Sequence, residues 1–353
     1  MEKRYNYIDN LRFILVFLIV IYHIAMAFNT WCEANYIFIE ESKPLSSIIV
    51  FLSPYYMPIL FLLAGISSYY SLKKRGYKTF IKERLLRLGI PLIFSILVIV
   101  PILSYIADIS HNSYKDNFFM HYSIFFTKYT DFTGYDGGFS FGHLWFILVL
   151  LLISIITLIP IRITELIKNQ KIRKISLIIF SILSIIIMIL TFDVKLLGKP
   201  LIVYLFIYLL GYFVFSKEEI INKISKFWFI YLPIFLISAI TNVVLFIWVK
   251  DYEILNNISN YFAFIFGVIS LISIFYRFIN KTNVFLKESS KISYVFYIIH
   301  FPIVVLLQYM FYKAGLNVGI NILLSIILSY ILTYGLSFLI SKIKYIRVLF
   351  GLK

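Results

Sequence analysis

Long apolar runs recur from one end of this sequence to the other, and they constrain the fold more than any single motif does. A helix needs about 20 predominantly apolar residues to cross a hydrocarbon layer of about 30 Å, and runs of about 18 or more return throughout the 353 residues. With 61% hydrophobic and 14% charged residues, the chain departs from the roughly half-apolar, quarter-charged balance of soluble domains. A soluble core could not hide that much apolar surface, so lipid is the solvent for most of the chain. The expectation is an all-α, polytopic integral membrane protein of about ten transmembrane helices, near 11–30, 46–70, 87–107, 143–161, 175–192, 200–215, 228–249, 258–279, 292–311 and 319–340.

The net charge of +16 would suggest nucleic acid in a soluble protein, but its placement says otherwise. Alternate loops differ sharply in Lys and Arg. One set, with the N-terminus, segment 71–87 and the C-terminal tail, is strongly basic. The other holds only Lys43, Lys115, Lys128, Lys195, Lys199, Lys250 and Lys313, with Arg12 at the entrance of the first helix. Cytoplasmic loops carry the excess of basic residues, so both termini are expected in the cytoplasm and the basic loops against anionic membrane lipid. No nucleic-acid partner is indicated. The cell membrane is the expected location, and heavy use of Ile, Lys, Asn, Phe and Tyr points to an AT-rich bacterial genome.

Lys3, Arg4, the apolar stretch from Phe13 to Ile21 and Ala25-Met26-Ala27 imitate a cleavable signal peptide. Cleavage would leave nine helices with the remaining loops on the same sides. The single cysteine, Cys32, forms no internal disulfide, and no Cys/His spacing indicates a structural metal, so no metal site and no tightly bound cofactor is expected. The chain reads as one membrane domain over 1–353, with its longest external segment, 108–142, either a lid on an acceptor or a solvated connector.

Ionisable groups inside lipid cost at least about 2.5–3.5 kcal/mol on insertion scales, so each one calls for a reason. Arg12 and His23, eleven apart on one helix, lie within about 20° of one face and roughly 16 Å apart along the axis. Arg12, at the cytoplasmic end, is suited either to grip phosphate or to snorkel to the interface. His23 lies deeper, as a titrating base or as a packed imidazole. Arg84 and Arg87, in the basic segment 71–87, are three apart on one helical face at the membrane entrance, placed for phosphates such as those of CoA or for ordinary anchoring.

Ser293, Tyr297 and His300 share a face of the ninth span, and His300 and His23 can face one cavity. His143 and Trp145 open the fourth span in Gly142-His143-Leu144-Trp145-Phe146, where Trp145 also suits an interfacial anchor. No serine-hydrolase elbow, Walker loop or zinc-protease helix is present. A histidine deprotonating a hydroxyl fits better, its ordinary pKa near 6.5 being right for general-base work.

Five ordered segments carry a family resemblance: Arg12-x10-His23 within Asp9-Asn10-Leu11-Arg12, Met57-Pro58 through Gly65, Phe80-x3-Arg84-x2-Arg87-x3-Pro91, His143-Leu144-Trp145-Phe146, and Ser293-x3-Tyr297-x2-His300. Together they make the chain resemble membrane acyltransferase family 3, in its glucan biosynthesis protein C-like branch. The resemblance implies O-acyl transfer, commonly of acetyl or succinyl groups, from cytoplasmic acyl-CoA as co-substrate to an extracytoplasmic or lipid-linked carbohydrate. It implies His23 as the general base, with Arg12, Arg84 and Arg87 holding the CoA. His300 and Tyr297 then become candidates to stabilise an oxyanion, and His143 and Trp145 candidates on the acceptor side. The rival reading is a secondary transporter or glycolipid flippase, in which intramembrane histidines relay protons.

Overall fold

A computed structural model of the chain describes residues 6–196 and 198–352. Lys3 and Arg4 of the signal-like N-terminus lie outside these residues. The structure is all-α, 80% helical, with no strand among the described residues. In chain order the helices are α1 (Asn6–Met26), α2 (Lys43–Arg84), α3 (Ile90–Val98), α4 (Val100–His111), α5 (Phe118–Thr127), α6 (Trp145–Ile156), α7 (Leu158–Leu166) and α8 (Gln170–Leu190). They continue with α9 (Leu201–Leu210), α10 (Glu218–Ser225), α11 (Trp228–Val243), α12 (Glu253–Phe278), α13 (Val284–Lys313), α14 (Val318–Lys342) and α15 (Lys344–Leu349).

Eight helical segments among the described residues are long and apolar enough to cross a membrane, and a pair bent by 99°, Leu201–Phe215 with Glu218–Ser225, makes up to nine. One of the eight, Lys43–His111, is 69 residues long. At 1.5 Å per residue it would run roughly 100 Å, over three times the hydrocarbon thickness. It covers two of the spans read from sequence, 46–70 and 87–107. The break is Gly76, at φ 73 and ψ 172, a left-handed φ that favours glycine. Segment 71–87 is therefore helix, turn and helix, continued through a π-helical turn at Leu85–Gly89. Outward side chains agree with a lipid solvent: Ile175, Ile178 and Ile182 recur at helical spacing on the exposed face of α8.

The chain forms two compact units, each discontinuous in sequence, so no single cut separates them. The first comprises Met1–Arg12, Ser53–Leu85 and Val149–Thr282. Its core gathers Leu72, Phe80, Leu158, Ile161, Leu209, Tyr212 and Phe213, while α12 packs on α10 and α11. The backbones of α2 and of the turn after α9 approach closely. A Cβ at Gly65 would lie 2.0 Å from the Tyr208 carbonyl oxygen, and one at Gly211 would lie 2.3 Å from that of Leu62. Small residues permit such approaches between membrane helices, where packing rather than a hydrophobic driving force holds helices together.

The second unit comprises Phe13–Leu52, Leu86–Leu148 and Asn283–Lys353. There α13 packs against α14 and α4, over a core of Ala27, Phe28, Tyr36, Ile37, Leu103, Ile106, Ala107, Phe301 and Val305. Side-chain amides tie its helices together: Gln308 Nε2 donates to the Ile24 carbonyl at 3.1 Å, and Asn321 Nδ2 to the Gln308 carbonyl at 3.3 Å.

Candidate active site

In the second unit α1 brings His23, α13 brings Tyr297, His300 and Phe301, and the short 3-10 turn Gly142–Leu144 brings His143. The ring centroids of His23 and His300 are 5.2 Å apart, and those of His143 and His300 are also 5.2 Å apart, edge to face. Phe301 stacks on His23 at 3.9 Å. Three imidazoles thus share one interior region of the membrane part of the chain, with His300 fully buried.

The local backbone explains how His143 is seated. Gly142 takes φ +51, which turns the chain sharply before α6. Pro302 lies inside α13 and has no N–H, so the Ile298 carbonyl, four residues earlier, loses its usual helical partner. His143 Nε2 takes that carbonyl at 2.8 Å. Tyr297 returns the contact by donating its hydroxyl to the His143 carbonyl. The proline break is what lets a histidine from another part of the chain bind to α13.

These bonds fix the tautomers. A carbonyl oxygen only accepts, so His143 Nε2 and His300 Nδ1, 2.6 Å from the Tyr297 carbonyl, are both N–H donors. In the neutral rings the other nitrogens, His143 Nδ1 and His300 Nε2, carry lone pairs. Both are buried without a hydrogen-bond partner among the described residues. The arrangement therefore offers two buried proton acceptors, one on the ring next to His23 and one on the ring beyond it, and they call for O–H or N–H donors.

The first unit holds the arginines. Arg12 Nη2 donates to Ser67 Oγ at 2.9 Å, while its Nη1 lies 3.4 Å from Asp9 Oδ1. Arg84 Nη2 donates to Ser68 Oγ at 2.6 Å and its guanidinium lies 4.8 Å from the Phe80 ring centroid. Consecutive serines of α2 thus aim two guanidiniums, planar forks suited to phosphate oxygens.

Residues 5–342 match the family model described as an acyltransferase domain, that of acyltransferase family 3. The chain belongs to that family. No curated protein and no solved structure matches it. The chain is thus a membrane-embedded acyltransferase.

Several details of this acyltransferase differ from the sequence expectation. Arg87 is exposed within the π-helical turn Leu85–Gly89, where bonds run i to i+5, so the α-helical pairing assumed for Arg84 and Arg87 does not apply. Tyr297 spends its only O–H on the His143 carbonyl, which makes it a holder of the turn in this state rather than a free oxyanion donor. Trp145 opens α6 half-buried, and the neighbouring Phe146 is the ring that meets Tyr297, at 5.7 Å. Ser293 is buried and donates to the Ser290 carbonyl at 2.9 Å within its own helix.

Segment 108–142 is partly helical, since α4 runs on to His111 and α5 follows, and it is pinned at several points. Tyr36 donates to the Thr133 carbonyl at 2.8 Å, Tyr135 donates to Glu33 at 3.1 Å, and His121 Nε2 lies 3.2 Å from Asp108 Oδ2. Burial pushes the His121 pKa down, with the Asp108 carboxylate opposing it.

Sequence reasoning missed Ser67, Ser68, Phe301 and Gln308. Gln308 had a readable signal, being an amide within an apolar span. The serines did not, because a hydroxyl that returns its proton to its own helix is common in membrane helices.

Proposed function

We propose that this acyltransferase moves an acyl group, acetyl or succinyl, from cytoplasmic acyl-CoA to a hydroxyl of an extracytoplasmic or lipid-linked carbohydrate in the cell membrane. The reading rests on one observation: His143 and His300 are both locked as donors to backbone carbonyls, leaving two buried lone-pair nitrogens on neighbouring rings, of which His300 lies against His23. Such nitrogens accept hydrogen bonds from hydroxyl groups, which is what a site for a polyhydroxy acceptor requires.

In this reading Arg12 and Arg84, with Arg87 at the exposed turn, bind the CoA phosphates through charge-assisted hydrogen bonds. An acceptor hydroxyl gives its proton to neutral His23 as its oxygen attacks the thioester carbonyl. The tetrahedral oxyanion collapses, the C–S bond breaks, and the thiolate leaves as CoA, taking a proton from the imidazolium of His23. His143 Nδ1 and His300 Nε2 accept hydrogen bonds from other hydroxyls of the same acceptor and so hold the reacting one in line, and Phe301 fixes the plane of His23. General-base assistance of this kind contributes about 10²–10⁴-fold.

The test uses membranes containing wild type or His23→Ala, incubated with labelled acetyl-CoA or succinyl-CoA. Label entering the carbohydrate or lipid fraction with wild type alone supports the reading and identifies the donor. Equal label with both proteins removes His23 from the mechanism.

A further inference from the structure

Helix α5, Phe118–Thr127, has the sequence Phe-Phe-Met-His-Tyr-Ser-Ile-Phe-Phe-Thr and no acidic or basic residue other than His121. Its inner face is covered by protein. His121 and Phe125 are fully buried, the first against Tyr105, Tyr114 and Asp108 and the second against Phe139. Its outer face carries two large apolar side chains, Phe119, 84% exposed, and Met120, 60% exposed, with Tyr122, Ser123 and Thr127 beside them and no charged group. Large apolar side chains this exposed, on a helix without an ionised residue, mark a surface that something other than water covers.

Ten residues rise only about 15 Å, too short to span. The helix is tied directly to the outward side of a membrane span. Tyr122 donates its hydroxyl to the Leu97 carbonyl at 2.9 Å, and Leu97, Val98 and Ile93 form the outward, lipid-facing side of α3. The exposed side of α5 is therefore joined to the lipid-facing side of the span. Tyr129, 60% exposed, and Phe132 extend the patch beyond the helix. Tyr is enriched, with Trp, where membrane meets water, its ring in the apolar layer and its hydroxyl in the polar one.

We propose that α5 lies in the plane of the membrane and buries Phe119 and Met120 in the lipid interface, on the side of the bilayer where α4 ends. The occupant of this face is the bilayer itself, not a second protein. Because the helix has no Lys or Arg between Phe118 and Thr127, its contact rests on apolar burial and does not depend on anionic lipid. The proposal is independent of the acyl donor and acceptor.

The experiment uses the full chain in lipid nanodiscs. In a Cys32→Ser background, Phe119→Cys, Met120→Cys and, as a reference, Lys115→Cys are each labelled with bimane. Each is then titrated with a lipid carrying a doxyl group near the glycerol end of its acyl chain, and with iodide in the water. Variants whose thermal unfolding matches the Cys32→Ser protein are compared, and either α5 position serves if the other fails that check. The expected result is at least about twofold stronger doxyl quenching at the α5 position than at Lys115, the reverse order with iodide, and no change between zwitterionic and anionic discs. Iodide quenching equal to that at Lys115 would place the face in water and overturn the proposal. Protection from both quenchers would overturn it in favour of a protein covering, and dependence on anionic lipid would overturn the apolar mechanism.

Discussion

Arg84 and Ser68 are joined by a hydrogen bond of 2.6 Å in which the serine hydroxyl is the acceptor. The same oxygen accepts the hydroxyl of Tyr208 at 2.7 Å, while its own proton goes to the Ala64 carbonyl at 2.7 Å. One donor and two lone pairs exhaust what a serine hydroxyl can do. Ser68 is fully buried, so its oxygen fixes where a guanidinium points.

Ser68→Ala is expected to remove one acceptor from two donors at once. A buried donor left unsatisfied costs about 1–3 kcal/mol, so the variant should unfold at a measurably lower temperature in detergent. With Arg84 no longer aimed, KM for acyl-CoA should rise while kcat falls less. An unchanged KM would separate Arg84 from donor binding.

His300→Phe keeps a ring of similar shape and removes the lone pair at Nε2. Acyl transfer is expected to fall about 10²-fold, with the protein still folded. If His300 and His23 act as one unit, the double variant His23→Ala/His300→Phe should be scarcely worse than His23→Ala alone, as such residues are strongly non-additive. Initial rates of label transfer for the four proteins complete the cycle, and simple additivity would show that the two rings act independently.

The spans were legible in the sequence because length and apolarity alone specify a membrane helix, and His23 and His300 were legible because an imidazole within such a span is expensive. The seating of His143 was not. It depends on the φ of Gly142 and on a carbonyl freed by Pro302, which lie far apart in sequence and meet only once the second unit is folded. The pairing of Arg84 with Arg87 failed for a local reason, since a π-helical turn changes the angular step and a face read at 100° per residue no longer holds. Segment 108–142 looked like a loop because α5, ten residues long, is too short to declare a helical period.

Gly65→Ala is expected to be severe where Gly335→Ala is mild. The added carbon at residue 65 would meet the backbone carbonyl of Tyr208 at 2.0 Å, and backbone cannot swing aside as a side-chain tip can. Overpacking costs typically about 1–3 kcal/mol and more where helices must separate. At Gly335, within α14, nothing lies within 4 Å of the new carbon, and alanine should stabilise the helix by roughly 0.5–1 kcal/mol. Yields of folded protein by size-exclusion fluorescence check both, and a well-folded Gly65→Ala would contradict the close approach.

Acid should loosen the segment that holds α5. His121 is buried against Asp108, and burial holds its pKa below the ordinary value of 6.5, the carboxylate only partly opposing that effect. The unfolded segment therefore binds the proton more readily than the folded one. The stability this histidine contributes is fully present above about pH 6.5 and is lost as pH falls from there toward the lower folded pKa. Hydrogen exchange of residues 112–141 in detergent should accordingly speed up between pH 7.5 and pH 5 after correction for the intrinsic rate. In His121→Phe, which fills the site with a ring that does not titrate, that acceleration should vanish. If it persists in His121→Phe, the acid sensitivity belongs to another group. If wild type shows no acceleration, the folded and unfolded segments bind the proton equally and burial does not govern this histidine.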